Sequence, residues 1–244
     1  MGDKVVKKLL ILFILVCFIS PAFVFSSMMM RRRPLLVVAD VATTTTTSVG
    51  GDECTGRIVC QNFEAVGYDN GETWSDSGAN PNYTVNALRG SQSCLLASSG
   101  NWARPEFASQ SEVWGFFRFS SSDVSTDCDI FRLRQSTTNR LVISVNNSNI
   151  ILTHGSASDT GATTLSVDTT YFVWFHYKKG TGADGEGNLW ISTSVTKPGS
   201  EECTITNGSS TTDVTRSYIY IDSSPDVIYD QVLIDDAVIN SVDS

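Results

Sequence analysis

Histidine and metal-type cysteine spacing are nearly missing from this chain of 244 residues, which holds two histidines and six cysteines without one Cys-x-x-Cys pair. Too few soft ligands remain for a structural zinc site. Charge is scarce as well, at 18% of residues, and no run of ten or more residues carries helical apolar spacing. A helical bundle needs Glu, Lys, Leu and Ala in quantity, so that class is excluded. Positive charge is scarcest of all. The formal net charge is −9, yet residues 1–50 hold six of the bases and only two of the acids. Residues 51–244 therefore carry 11 bases against 24 acids, a net −13. Such a body repels a phosphate backbone, and no nucleic-acid partner is expected. What is abundant is hydroxyl, with 32 Ser and 25 Thr. With 41% apolar residues the chain is too hydrophobic to be disordered. A body of about 190 residues can bury a full core and still be one all-β domain.

The basic N-terminus reads as an export signal over residues 1–27. Lys4, Lys7 and Lys8 precede an apolar run from Leu9 to Ile19, Pro21 breaks it, and Val24-Phe25-Ser26 offers a peptidase site. An uncleaved anchor over residues 5–25 is the alternative, since that stretch is nearly long enough to span a bilayer. Arg31 to Arg33 oppose export, and Met28 to Met30 before them also allow a later start. Residues 28–52 form a linker that includes the five threonines Thr43 to Thr47, and the domain is expected over residues 53–244. Outside the signal five cysteines remain, so at least one is unpaired within the chain. Cys54 and Cys60 enclose a short turn and can bridge if the chain is exported. Cys94 reads as a small buried hydrophobe.

The body breaks into about ten short strands punctuated by Gly, Asn, Asp and Ser. Asn146-Asn147-Ser148 is a hairpin turn, and residues 179–187 form a longer hairpin loop. Strands without helices imply a two-sheet antiparallel sandwich or jelly roll. Alternation over Tyr171 to Lys178 puts Tyr171, Val173, Phe175 and Tyr177 in the core. Phe172, Trp174, His176 and Lys178 then face outwards. Trp114 and Arg118 share one face of their strand, as do Arg132 and Arg134.

Three segments resemble the concanavalin A-like lectin/glucanase superfamily in its laminin-G-like jelly-roll branch. They are Cys60-Gln61-Asn62-Phe63-Glu64 with Gly67-Tyr68-Asp69 and Trp74, the strand from Thr170 to Gly180, and the closing strand from Ile228 to Ile239. The resemblance spans residues 54–240 and implies that the first and last strands lie side by side. Catalytic glucanases of the superfamily carry a Glu-x-Asp-x-Glu-like run on one strand, which this chain lacks. Asp127-Cys128-Asp129 is the nearest pair and precedes a strand without a Glu partner. The Gln-x-His run of jelly-roll lyases is also missing, and His176 and Tyr177, being adjacent, face opposite ways.

The expectation is an exported, non-catalytic module for extracellular glycan, with a structural or adhesive surface protein as the alternative and a diverged glycan hydrolase or lyase as the third reading. Sugar rings stack on indole and phenol rings, and their hydroxyls take bonds from Arg or Asn. Trp114, Arg118, Arg132, Arg134, Trp174 and His176 supply such groups if their strands are neighbours. One structural calcium ion is expected between Glu64 on the first strand and Asp230 on the last, with Asp69 or Asp236 as helpers.

Overall fold

The computed structural model describes residues 54–64, 67–68, 73–223, 225–240 and 242. The export segment, the linker, Glu53 and Asp69 lie outside the described residues. Among the described residues no helix is long and apolar enough to cross a membrane. Among the described residues every regular element is a strand, and the strands form two antiparallel sheets packed as a sandwich.

One sheet has eight strands. Its path runs β13 (Cys203–Gly208), β12 (Gly185–Ser192), β11 (Tyr171–Lys178), β6 (Glu112–Ser121), β15 (Val227–Asp235), β4 (Ser93–Leu96) and β3 (Asn80–Tyr83), with β1 (Val59–Gln61) added on β15. The other has seven: β10 (Ala157–Thr164), β9 (Asn149–His154), β8 (Thr138–Asn146), β7 (Cys128–Gln135), β14 (Val214–Tyr220), β5 (Trp102–Gln110) and β2 (Trp74–Ser77). The first and last strands do pair, through Val59–Ile234 to Gln61–Val232.

Five strands exceed the expected ten. Three of them, β2, β3 and β10, are polar edge strands, where solvent replaces the apolar residues that mark a strand. The fourth, β13, lies at the other edge of the larger sheet. The fifth, β5, is internal, and Pro105 hides it, because a proline reads against a strand with neighbours on both sides.

The core forms where the predicted inward residues meet. Tyr171, Val173, Phe175 and Tyr177 of β11 pack against Val113, Phe117 and Phe119 of β6 and Phe131 and Leu133 of β7. Phe175 lies over Gly115, whose missing Cβ is the space the ring occupies; an added Cβ there meets ring carbons within 2.5 Å. The closing strand bends at Gln231 rather than at Asp235-Asp236. There β15 gains one residue against β6 between Asp230–Arg118 and Leu233–Phe116, and Gln231 takes φ 49°. Cys54 and Cys60 form a disulfide, while Cys94, Cys128 and Cys203 are free and buried.

Candidate functional site

The six residues expected to bind ligand fall on opposite sides of the sandwich. Trp114, Arg118, Trp174 and His176 lie on the outer face of β6 and β11, in the eight-stranded sheet. Arg132 and Arg134 lie on the outer face of β7, in the seven-stranded sheet. They cannot line one site.

The outer face of the larger sheet is covered. Trp174 is 1% exposed and packs with Phe116, Phe172, Trp190 and Leu233 beneath Ile239 and Val242 of the C-terminal segment. Cys54, Cys60 and Val195 complete the cover. The face was expected to be open, but four large aromatic rings in a row cannot stay in water without a partner, and the chain supplies its own. Trp174 therefore offers no surface to a sugar. Trp114 is half-buried, stacked on His176 at 4.0 Å, and the Lys197 ammonium sits 5.2 Å from its ring and 3.5 Å from that of Trp190. His176 donates through Nε2 to Glu112 and contacts Asn188 through Nδ1. These groups satisfy one another.

Arg118 is likewise enclosed, at 2% exposure, with Nε donating to Gln231 Oε1 at 2.7 Å and its guanidinium over Phe172. Beside it Asp230 is fully buried and accepts from Ser93 Oγ at 3.3 Å. Burial pushes the Asp230 carboxyl up to about 7, and neighbouring Glu64 adds to the shift, while Arg118, Ser93 and Arg89 oppose it. Glu64 thus acts electrostatically on Asp230. The donor set argues against calcium, however. The charged groups acting on Asp230 include the cations Arg118 and Arg89, whereas a hard cation needs further oxygens. Asp230 itself lies in a site that favours its neutral form. Among the described residues no group of three or more His, Cys, Asp or Glu side chains gathers to hold a metal. The residues present do not fit that ion, and no role is routed through one.

His154 bridges the sheets. It is fully buried at the end of β9, stacks on Tyr177 of β11 at 4.9 Å, and donates through Nε2 to Lys178 O at 3.1 Å. Burial lowers its pKa, so the ring is held neutral.

The smaller sheet presents a different outer face. On neighbouring strands β5, β14 and β7, side chains alternate outward as Trp102, Arg104 and Glu106, as Arg216, Tyr218 and Tyr220, and as Arg132 and Arg134. Guanidinium groups lie on rings throughout. Arg132 is 3.6 Å from the Tyr220 centroid, Arg134 is 5.0 Å from that of Tyr218, and Arg104 is 5.0 Å from Trp102 and 5.4 Å from Tyr218. Each stack fixes a flat apolar ring beside a planar donor fork. Arg104 also donates to Ser75 Oγ at 2.9 Å and to the Tyr218 hydroxyl at 2.5 Å. Arg132 pairs with Asp129 at 2.5 Å and Asp222 at 3.3 Å. Burial raises the Asp129 carboxyl, with Arg132 opposing that shift. Sequence reasoning found Arg132 and Arg134 here and missed Trp102, Arg104, Tyr218 and Tyr220. The signal was present in the alternations Trp102-x-Arg104 and Arg216-x-Tyr218-x-Tyr220, which gain meaning only once β5, β14 and β7 are neighbours.

No family model matches the chain, and no curated protein matches it in sequence. Solved structures do match in shape. A fungal endo-β-1,4-glucuronan lyase from Trichoderma reesei aligns at TM-score 0.54 and 12% identity, over 74% of this chain and 96% of that one. The receptor-binding domain of botulinum neurotoxin type G aligns at TM-score 0.54 and 11% identity, over 76% of this chain and 49% of that one. A sialidase aligns at TM-score 0.54 and 9% identity, over 75% of this chain and 19% of that one. The fold is that of a jelly-roll sandwich. At these identities the likeness extends to the fold alone. The chain spans about half of the toxin domain and a fifth of the sialidase.

Proposed function

We propose that this chain is an exported, non-catalytic, laminin-G-like binding module for extracellular carbohydrate, with its ligand on the outer face of β5, β14 and β7. One observation carries the reading: rings and guanidinium groups alternate across three adjacent strands there, unlike the covered aromatic face of the other sheet. Trp102 and Tyr220 are half-buried and offer ring surface for the C–H face of a sugar. The arginine forks beside them suit hydroxyl and carboxylate oxygens. Two of the matched structures are named for enzymes that act on glycans, and a third for receptor binding.

A catalytic role is not part of the proposal. His154 is buried between the sheets and His176 belongs to the opposite face. On the platform, Glu106, Asp129 and Asp222 are each engaged by arginine.

A glycan array tests the reading, with wild type beside a Trp102→Ala/Tyr220→Ala double variant. Binding of at least one glycan class by the wild type, lost in a folded double variant, is the expected result. Binding that survives loss of both rings, or no binding by the wild type, overturns it.

A further inference from the structure

The platform contains an arrangement that the fold alone does not favour. Arg134 of β7 and Arg216 of β14 are direct cross-strand partners, and both face outwards. Like charges placed opposite each other destabilise a sheet unless something stands between them. The neighbouring carboxylates are already taken. Glu106 is shared by Arg216 at 3.1 Å and Arg104 at 3.3 Å, while Asp129 and Asp222 both serve Arg132. Arg134 has no carboxylate partner among the described residues. Its one hydrogen bond goes to the Thr137 carbonyl, its Nε is buried without a partner, and its planar group lies over Tyr218. In a body with 24 acids and 11 bases, an arginine unpaired and facing another arginine is out of keeping with its surroundings.

Resting on the carbohydrate reading above, we propose that Arg134 and Arg216 form an anion subsite for the carboxylate or sulfate of an acidic glycan. A planar guanidinium takes either group by two parallel hydrogen bonds. The anion relieves the cross-strand repulsion, while Trp102 and Tyr220 hold the sugar ring that carries it. Four arginines against three carboxylates leave this face close to a single positive charge. That balance suits one acidic group per few sugars, in contrast to a nucleic acid, which the −13 body repels.

Calorimetric titration of the full-length protein with a polyuronate, a sulfated polysaccharide and a neutral glucan tests the proposal, using wild type, Arg134→Gln and Arg134→Lys. Either acidic polymer is expected to bind about tenfold or more tightly than the neutral one. The two acidic arms distinguish carboxylate from sulfate. Arg134→Gln loses that preference, yet melts at the same or a higher temperature because the repulsion is gone. Arg134→Lys keeps the charge without the fork and falls between. If the neutral glucan binds equally and Arg134→Gln changes nothing, the subsite is overturned and the carbohydrate reading stands. If no polysaccharide binds, both fall. A large fall in melting temperature for Arg134→Gln assigns the residue to folding and also overturns the subsite.

Discussion

Asp230 is the residue on which pH acts most directly. Its folded pKa of about 7 lies above the ordinary 3.8, so between those values the folded chain holds a proton that the unfolded chain has lost. Its contribution to stability is therefore greatest in acid and falls as pH rises from about 4 to about 7. Asp230→Asn has no such slope. The melting temperature of wild type minus that of Asp230→Asn should decline steadily across that window; a constant difference would show that the carboxyl is not desolvated. Buried His154 pulls the other way. Its lowered pKa means that stability is lost as pH falls below the ordinary histidine value, and the comparison with Asp230→Asn cancels that background.

At the scale of the element, packing decided what the sequence could reveal. The strand Tyr171 to Lys178 was legible because its alternation is dense with aromatics, and its core face came out as read, while the face expected to be open is largely buried. What alternation cannot tell is whether an outward face meets water or another part of the chain. Phe172 and Trp174 point out of the sheet and are nevertheless buried, because Ile239 and Val242 lie far along the sequence and fold back on them. The ligand-binding expectation for Trp174 failed for that reason. Arg132 and Arg134 were placed on a shared face correctly, but their partners Tyr218 and Tyr220 come from a strand some 80 residues later. No local pattern links the two. The contact of Gly115 with Phe175 is also non-local and makes a sharp test. Gly115→Ala inserts a methyl group into a filled space and should cost about 1–3 kcal/mol in denaturant unfolding. A neutral result would mean that the Phe175 ring can shift off its cross-strand partner without loss of packing.

For the molecule as a whole, the C-terminal segment is part of the fold. A chain ending at Asp236 loses the cover that Ile239 and Val242 give the aromatic face, worth about 2–4 kcal/mol for one fully and one partly buried aliphatic side chain. It should melt lower and bind a hydrophobic dye that the full chain does not bind. Unchanged melting and dye binding would show that the segment only rests on the surface. The fold class was readable from composition and strand periodicity, since both reflect summed burial. The platform depends on which strands become neighbours, and the crossovers of a jelly roll determine that beyond the reach of any short window.

The pairing of β1 with β15 has a mechanical consequence. The two strands run antiparallel, so the start of β1 at Val59 and the far end of β15 at Ile234 lie together at one edge of the register. A pull applied through the two ends of the domain loads that register like a zipper, one rung at a time from this edge inwards. It does not shear all the rungs at once. The bond between Cys54 and Cys60 closes a loop that contains Val59, so tension bypasses that rung and arrives at Cys60, already inside the register. Under tension this sandwich should yield first at its seam, with the Trp102–Tyr218–Tyr220 face on the opposite sheet still folded.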